Sequence, residues 1–301
     1  MEFVMRVAPL ILASLSFALL LTSAHADGPC LGDPALNFIP TRADEPFDGY
    51  LIDGEGCLHD PQTTDVTELT PLVAESTRRP RQAQAVWFLN GGPMSVGRAF
   101  DTMQAVAADT GHPVLGIYNG LPERSSDPAA SGAVAVLAEQ LRTGLGAETP
   151  MHLIGGSLGA ELIARGVAAA AEDLSDEQLG ALLVESAGGA ASSYVDGPRY
   201  THYLNVIDVA IRAEGLLRQD AVPGAGAFLV YLVENEPKNL VSGGPLGPVH
   251  GWGVYGRWYV PVTQIEACRA AGQRRLWLSR LDLVRLYLGR ELPACRVPAA
   301  S

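Results

Sequence analysis

The chain has 301 residues, 48 % of them hydrophobic, and a net charge of -12 from 33 acidic and 21 basic side chains. So acidic a surface repels phosphate backbones, which argues against nucleic acid as a partner. Its four cysteines include no C-x-x-C spacing, which argues against structural zinc and dithiol redox chemistry and for disulfides in an oxidising compartment.

Residues 1–26 read as a secretory signal peptide. Arg6 precedes an apolar run from Val7 to Leu21, and Ala24-His25-Ala26 has the small-x-small form of a signal-peptidase site, leaving Asp27 as the mature N-terminus. The alternative is an uncleaved anchor, but the run is shorter than the roughly 20 residues a spanning helix needs. Cys30 is not preceded by the small apolar run of a lipid-attachment site. Residues 27–301 are expected to form one domain, with no internal repeat or dividing linker and no later segment apolar enough to span a bilayer. Of the three pairings open to the cysteines, Cys30–Cys57 and Cys268–Cys295 are favoured, because each would staple one end of the chain to the body.

Taken in order, the mature chain begins with a stretch rich in Pro, Asp and Thr, with short strands expected near Gly49–Ile52 and Thr67–Val73. Ala85–Leu89 reads as a buried strand, followed by Asn90-Gly91-Gly92-Pro93 and a helix from Arg98 to Ala108. Val114–Tyr118 is a second apolar strand, and a helix is expected from about Ala129 to Leu145. Then come a strand at His152–Ile154, an alanine-rich helix from Glu161 to Leu174, and strands at Leu182–Val184, Tyr203–Val206 and Phe228–Val233. Strands apolar throughout and separated by helices predict an α/β fold, a mostly parallel central sheet with helices on both faces. Sites in such sheets lie at the carboxyl ends of the strands.

One motif falls at such an end. Gly155-Gly156-Ser157-Leu158-Gly159 stands between a strand and a helix, where G-x-S-x-G acquires chemical meaning. The sharp turn projects the serine clear of the sheet and tolerates only small residues two positions either side. A serine hydroxyl needs a base to take its proton and an acid to orient that base. Asp208 ends the strand that begins near Tyr203, and His250 lies beyond the Phe228–Val233 strand. Four other histidines precede the sheet, lie before a strand or begin one, and His25 belongs to the signal. Asp208 has the competing reading of a helix N-cap. Glu185 is the alternative acid, and Asp196 a weaker one.

This order and placement resemble the α/β-hydrolase superfamily over roughly Ala85 to Tyr259, and within it the lipases and esterases. Leu153–Gly159 is similar to their elbow and Thr201–Asp208 to the segment bearing their acid, although Gly156 stands where many lipases have histidine. The resemblance implies Ser157 as nucleophile, Asp208 as orienting acid and His250 as base. Donors to the developing oxyanion are expected from the Leu158 amide and from the loop after the Ala85–Leu89 strand, with Gly91, Gly92 and Met94 as candidates.

Two further stretches stand out. Glycines and aromatics alternate from Ser242 to Tyr259, and Trp252 and Tyr255 are candidate substrate contacts, the alternative being that they pack the loop onto the body. From Leu276 to Leu288, leucines alternate with Arg274, Arg275, Arg280, Arg285 and Arg290, read as an amphipathic helix covering the sheet, with membrane contact as the lesser alternative. The whole reads as a secreted or periplasmic serine hydrolase acting on a small-molecule or lipid ester, with no metal or organic cofactor required and no protein partner specified. The alternatives are a hydrolase-fold protein that binds without catalysis, and a toxin-like lipase acting on other cells.

Overall fold

The computed structural model describes residues 28–33, 36, 47–92, 94–120, 131–144, 150–232, 252–290 and 292–295. Their backbone forms an α/β structure around one nine-stranded sheet, with eight α-helices among the described residues. The strands are β1 Leu51–Ile52, β2 Leu58–His59, β3 Val86–Leu89, β4 Val114–Ile117, β5 His152–Gly156, β6 Leu183–Ala187, β7 Arg199–Asn205, β8 Phe228–Leu232 and β9 Arg275–Leu278. In space they run β2-β1-β4-β3-β5-β6-β7-β8-β9. β1 is antiparallel to both its neighbours, and every ladder from β4 to β9 is parallel.

The connections explain the layers. α1 (Val96–Thr110) links β3 to β4, α2 (Gly132–Gly144) precedes β5, and α3 (Leu158–Ala171) follows it. α2 and α3 pack with Leu89, Leu153 and Val184 in one core cluster, while α1 packs with Phe88, Ile154 and Tyr203 in the other. Alternate residues of β3 and β5 thus feed opposite cores, as the pleat requires. The glycine in the middle of α3 is part of that fit, because a Cβ on Gly166 would stand 2.6 Å from Leu137 of α2. The remaining helices are α4 Asp176–Ala181, α5 Val209–Ala213, α6 Trp252–Tyr255, α7 Val262–Ala270 and α8 Arg280–Tyr287.

Several expectations are corrected. Thr67–Val73 is not a strand: Val66–Glu68 is a single 3-10 turn capped by Asp65, and only Leu72 makes an isolated bridge, to Val114. The run from Leu276 to Leu288 is not one helix. Leu276 and Leu278 alternate with exposed Arg275 and Trp277 in β9, and a Ser279 capping box then starts α8. β8 is therefore not the last strand. α4, again opened by a capping box, at Ser175 and Gln178, had no counterpart in the sequence reading.

Both favoured disulfides are present, Cys30–Cys57 and Cys268–Cys295, each closing a separation of 27 residues. Two such bridges fit an oxidising extracellular or periplasmic environment. The signal segment 1–26 lies outside the described residues.

Candidate active site

β3 leads to β4 on one side, whereas β5 leads to β6 on the other, so the direction of winding reverses between β3 and β5. A crevice outside the carboxyl ends of two such strands is where open α/β sheets bind ligands. Asn90-Gly91 and Ser157 are the residues that emerge there.

Ser157 has φ 53° and ψ -125°, and among the described residues it is the one non-glycine with positive φ. Such a backbone costs about 1–3 kcal/mol and persists only where its surroundings hold it. Here its N–H donates to the Ala187 carbonyl at 3.2 Å, and its carbonyl accepts from Ala160 and Ala190 at 3.2 and 3.1 Å. The turn is thereby braced by β6, α3 and the segment after β6 together. Its glycines are required by close approach. A Cβ on Gly155 would stand 2.6 Å from Ile163 and 2.8 Å from the Ala160 nitrogen, and one on Gly159 would overlap the Leu89 carbonyl oxygen. Ser157 is partly exposed, its side chain makes no capping hydrogen bond to α3, and Leu158 begins that helix. The Leu158 amide thus belongs to the first turn, where N–H groups have no intrahelical acceptor and the helix dipole favours negative charge.

The loop after β3 lies against this turn. A Cβ on Gly91 would meet the Gly156 oxygen at 2.9 Å and the Ser157 Cβ at 3.2 Å. Two buried asparagines fasten the loop: the Asn119 amide donates to Asn90 Oδ1 at 2.8 Å, and Asn90 Nδ2 donates to the carbonyls of Asn119 at 3.0 Å and Gly91 at 3.1 Å. In the sequence Asn90 stands out only as part of a loop, and Asn119 does not stand out at all. The signal available there is an Asn-Gly pair directly after an apolar strand. Gly92 is partly exposed, and the Met94 carbonyl accepts from the Tyr118 hydroxyl at 2.8 Å.

Asp208 follows β7 by three residues and is 0 % exposed. The Tyr255 hydroxyl donates to its Oδ2 at 2.8 Å and accepts a long bond from the Asn205 amide at 3.4 Å. Burial, followed by the nearby Asp208 charge, pushes the Tyr255 phenol well above its ordinary range, so it stays protonated and donates. The register sets Gly156, Ala187 and Tyr203 side by side on β5, β6 and β7. β5 and β7 therefore end at the same edge of the sheet with a lateral spacing of about 10 Å, Ser157 directly following the first and Asp208 three residues beyond the second. His250 lies outside the described residues, which resume with α6 at Trp252.

The other expected residues have different roles. Glu185 is not beyond a strand end but in the middle of β6, buried, accepting from His152 Nε2 at 2.7 Å and from the Tyr259 hydroxyl at 3.3 Å. Its carboxylate is engaged inside the sheet, so it does not stand as an acid at the site. Asp196 is exposed and accepts from the Ala225 amide at 2.7 Å, a loop-holding contact. Trp252 and Tyr255 are buried, so the expected exposed substrate contacts are corrected to packing residues: the indole donates to Asp109 at 3.0 Å and the phenol to Asp208. A groove of about 640 Å³ follows the outer face of α3, lined by Glu161, Arg165, Ser192 and Asp196 among others, and Ser157 does not line it.

No protein-family model, curated protein or solved structure matches the chain.

Proposed function

We propose that this chain is an exported serine hydrolase of α/β-hydrolase type that cleaves carboxylic esters, lipid esters included. The observation that carries the reading is the backbone of Ser157, a strained strand-to-helix turn at the switch point of a parallel sheet. Nothing in packing alone calls for a serine at φ 53°, where glycine would be strain-free.

In the proposed reaction, His250 takes the Ser157 proton as Oγ attacks the acyl carbonyl. The tetrahedral oxyanion is met by the Leu158 amide and by an amide of the loop after β3, with Gly91 the nearest candidate and Gly92 and Met94 beside it. Collapse breaks the ester C–O bond, and His250 returns the proton to the departing alcohol. A water, deprotonated by the same imidazole, then attacks the acyl-enzyme; the acyl–Oγ bond breaks, the imidazole returns the proton to Ser157 Oγ, and the carboxylic acid leaves. Asp208 orients the imidazole and stabilises its charged form, and Tyr255 holds Asp208. Asp208 is preferred to Glu185 because Glu185 is committed to His152 within the sheet.

The test is hydrolysis of a panel of p-nitrophenyl esters by wild type and by the Ser157→Ala, Asp208→Ala and His250→Ala variants. Loss of about 10⁴-fold or more in kcat for Ser157→Ala and His250→Ala is expected from the behaviour of such triads. Equal activity in all four proteins contradicts the assignment. Full activity in Asp208→Ala alone removes Asp208 from it.

A further inference from the structure

We infer that Asn90 is a positioning residue for the proposed reaction: its carboxamide turns the Gly92 N–H toward the oxyanion that forms beside Ser157. This role rests on the hydrolase reading and narrows its loop donors to one.

β3 and β4 are followed by the same pair of residues, Asn90-Gly91 and Asn119-Gly120. Both asparagines are buried, 1 % and 0 % exposed, at the carboxyl edge of the sheet. A carboxamide taken out of water must be bonded at both its oxygen and its nitrogen. Asn90 meets that demand entirely on main chain. Its Oδ1 accepts from the Asn119 amide at 2.8 Å, and its Nδ2 donates to the carbonyls of Asn119 at 3.0 Å and Gly91 at 3.1 Å. Asn119 Nδ2 reaches the same Gly91 oxygen at 3.5 Å. Aspartate would have the shape of Asn90 without the donor. The β4 side of this clamp is itself fixed, because the Gly120 amide donates to Asp48 Oδ1 at 2.9 Å. The far end of the loop is held from β4 as well, through the Tyr118 hydroxyl on the Met94 carbonyl at 2.8 Å.

These bonds orient one peptide plane. Leu89 pairs with Ile117 on one side and Gly155 on the other, so two residues on, Gly91 lies between Asn119 and Ser157. The close approach agrees, a Cβ on Gly91 standing 3.2 Å from the Ser157 Cβ. The Gly91 carbonyl faces its two carboxamide donors, on the β4 side. No peptide bond among the described residues is cis, and in a planar trans peptide the N–H points opposite to the carbonyl. The Gly92 N–H is therefore turned to the β5 side, where Ser157 stands. Among the described residues that N–H has no acceptor, and Gly92 is partly exposed. With the Leu158 amide it completes a pair of donors set before the reaction begins.

The test compares p-nitrophenyl ester hydrolysis by wild type, by Asn90→Ala, by a protein carrying glycolic acid in place of Gly92, and by the combination. Glycolic acid replaces one N–H with oxygen and changes no side chain. Each single change is expected to lower kcat about 100-fold with KM within about twofold of wild type, as for a contact made in the transition state. The combination falls no further than the glycolic acid protein, because both changes remove the same donor. Affinity for an alkyl trifluoromethyl ketone falls in parallel: Ser157 Oγ adds to its carbonyl carbon as His250 takes the proton, which leaves an oxyanion facing the two donors. Full activity in the glycolic acid protein overturns the inference. So do losses that multiply in the combination, and so does an Asn90→Ala protein that melts earlier yet keeps kcat and ketone affinity. In each of these cases wild type still hydrolyses ester and is phosphonylated at Ser157, so the hydrolase reading survives. A wild type that does neither sinks that reading, and the role of Asn90 with it.

Discussion

A carboxylate with no exposure, such as Asp208, depends on the donors that face it. Tyr255 supplies one from 47 residues away. Tyr255→Phe keeps the ring and deletes the donor, so it is expected to lower stability by about 1–3 kcal/mol in urea denaturation. If Asp208 orients the base, kcat on a p-nitrophenyl ester falls while KM stays near wild type. Unchanged stability and kcat would leave the bond without consequence. At this scale the sequence was informative where the signal is local: Ser157 announces itself through four neighbours and a strand before it. The Tyr255 partnership was not legible, since an aromatic in a glycine-rich stretch looks the same whether it meets substrate or a buried acid. Glu185 was misplaced for a related reason, because its partner His152 lies on the adjacent strand, 33 residues earlier.

Between elements, the close approach of the β3 loop to the elbow is the contact most exposed to test. Gly91→Ala would put a methyl 2.9 Å from the Gly156 oxygen and force the loop away from Ser157. A fall of about 100-fold in kcat is expected, the order of one lost oxyanion donor; an unaltered rate would take Gly91 out of the site. His202 gives a different test within β7. The Pro223 carbonyl can only accept, so Nε2 carries the proton at 3.0 Å, and Nδ1 accepts from the Ser186 hydroxyl at 2.7 Å. The ring is thus held neutral, and burial lowers its pKa to about 4. The unfolded chain titrates near 6.5 and binds the additional proton between those values, so stability is complete above about pH 6.5 and falls by about 3 kcal/mol as pH drops to 4. Urea denaturation near pH 7 and near pH 4.5 should show this slope in wild type and a flatter one in His202→Gln; equal slopes would contradict it. The elements themselves were mostly legible, since apolar runs such as Val86–Leu89 and Phe228–Leu232 are strands of the expected kind. β9 was not, because Arg-Leu-Trp-Leu is too short for its two-residue alternation to stand out from the leucine and arginine spacing of α8 behind it.

Across the described residues, nine strands form one sheet between two cores, and the two disulfides lie near either end of the chain. Cross-linking a loop of this length stabilises by about 3.5 kcal/mol in the chain-entropy model. Reduction of either bridge should therefore lower Tm measurably, read by calorimetry with and without reductant, and an unchanged Tm would make the bridges incidental. The strand exchange that creates the crevice between β3 and β5 was not legible in the sequence: strand order depends on which faces meet, and hydrophobic runs do not encode it.

On the proposed reading, one hydroxyl, at Ser157, is made nucleophilic by its surroundings. The most direct measurement is to treat the mature protein with a fluorophosphonate and locate the added mass by peptide mass spectrometry. The expected result is one phosphonyl group per chain, on Ser157, absent in Ser157→Ala and strongly slowed in His250→Ala. Labelling of another residue, or of Ser157→Ala at the wild-type rate, would overturn Ser157 as the nucleophile.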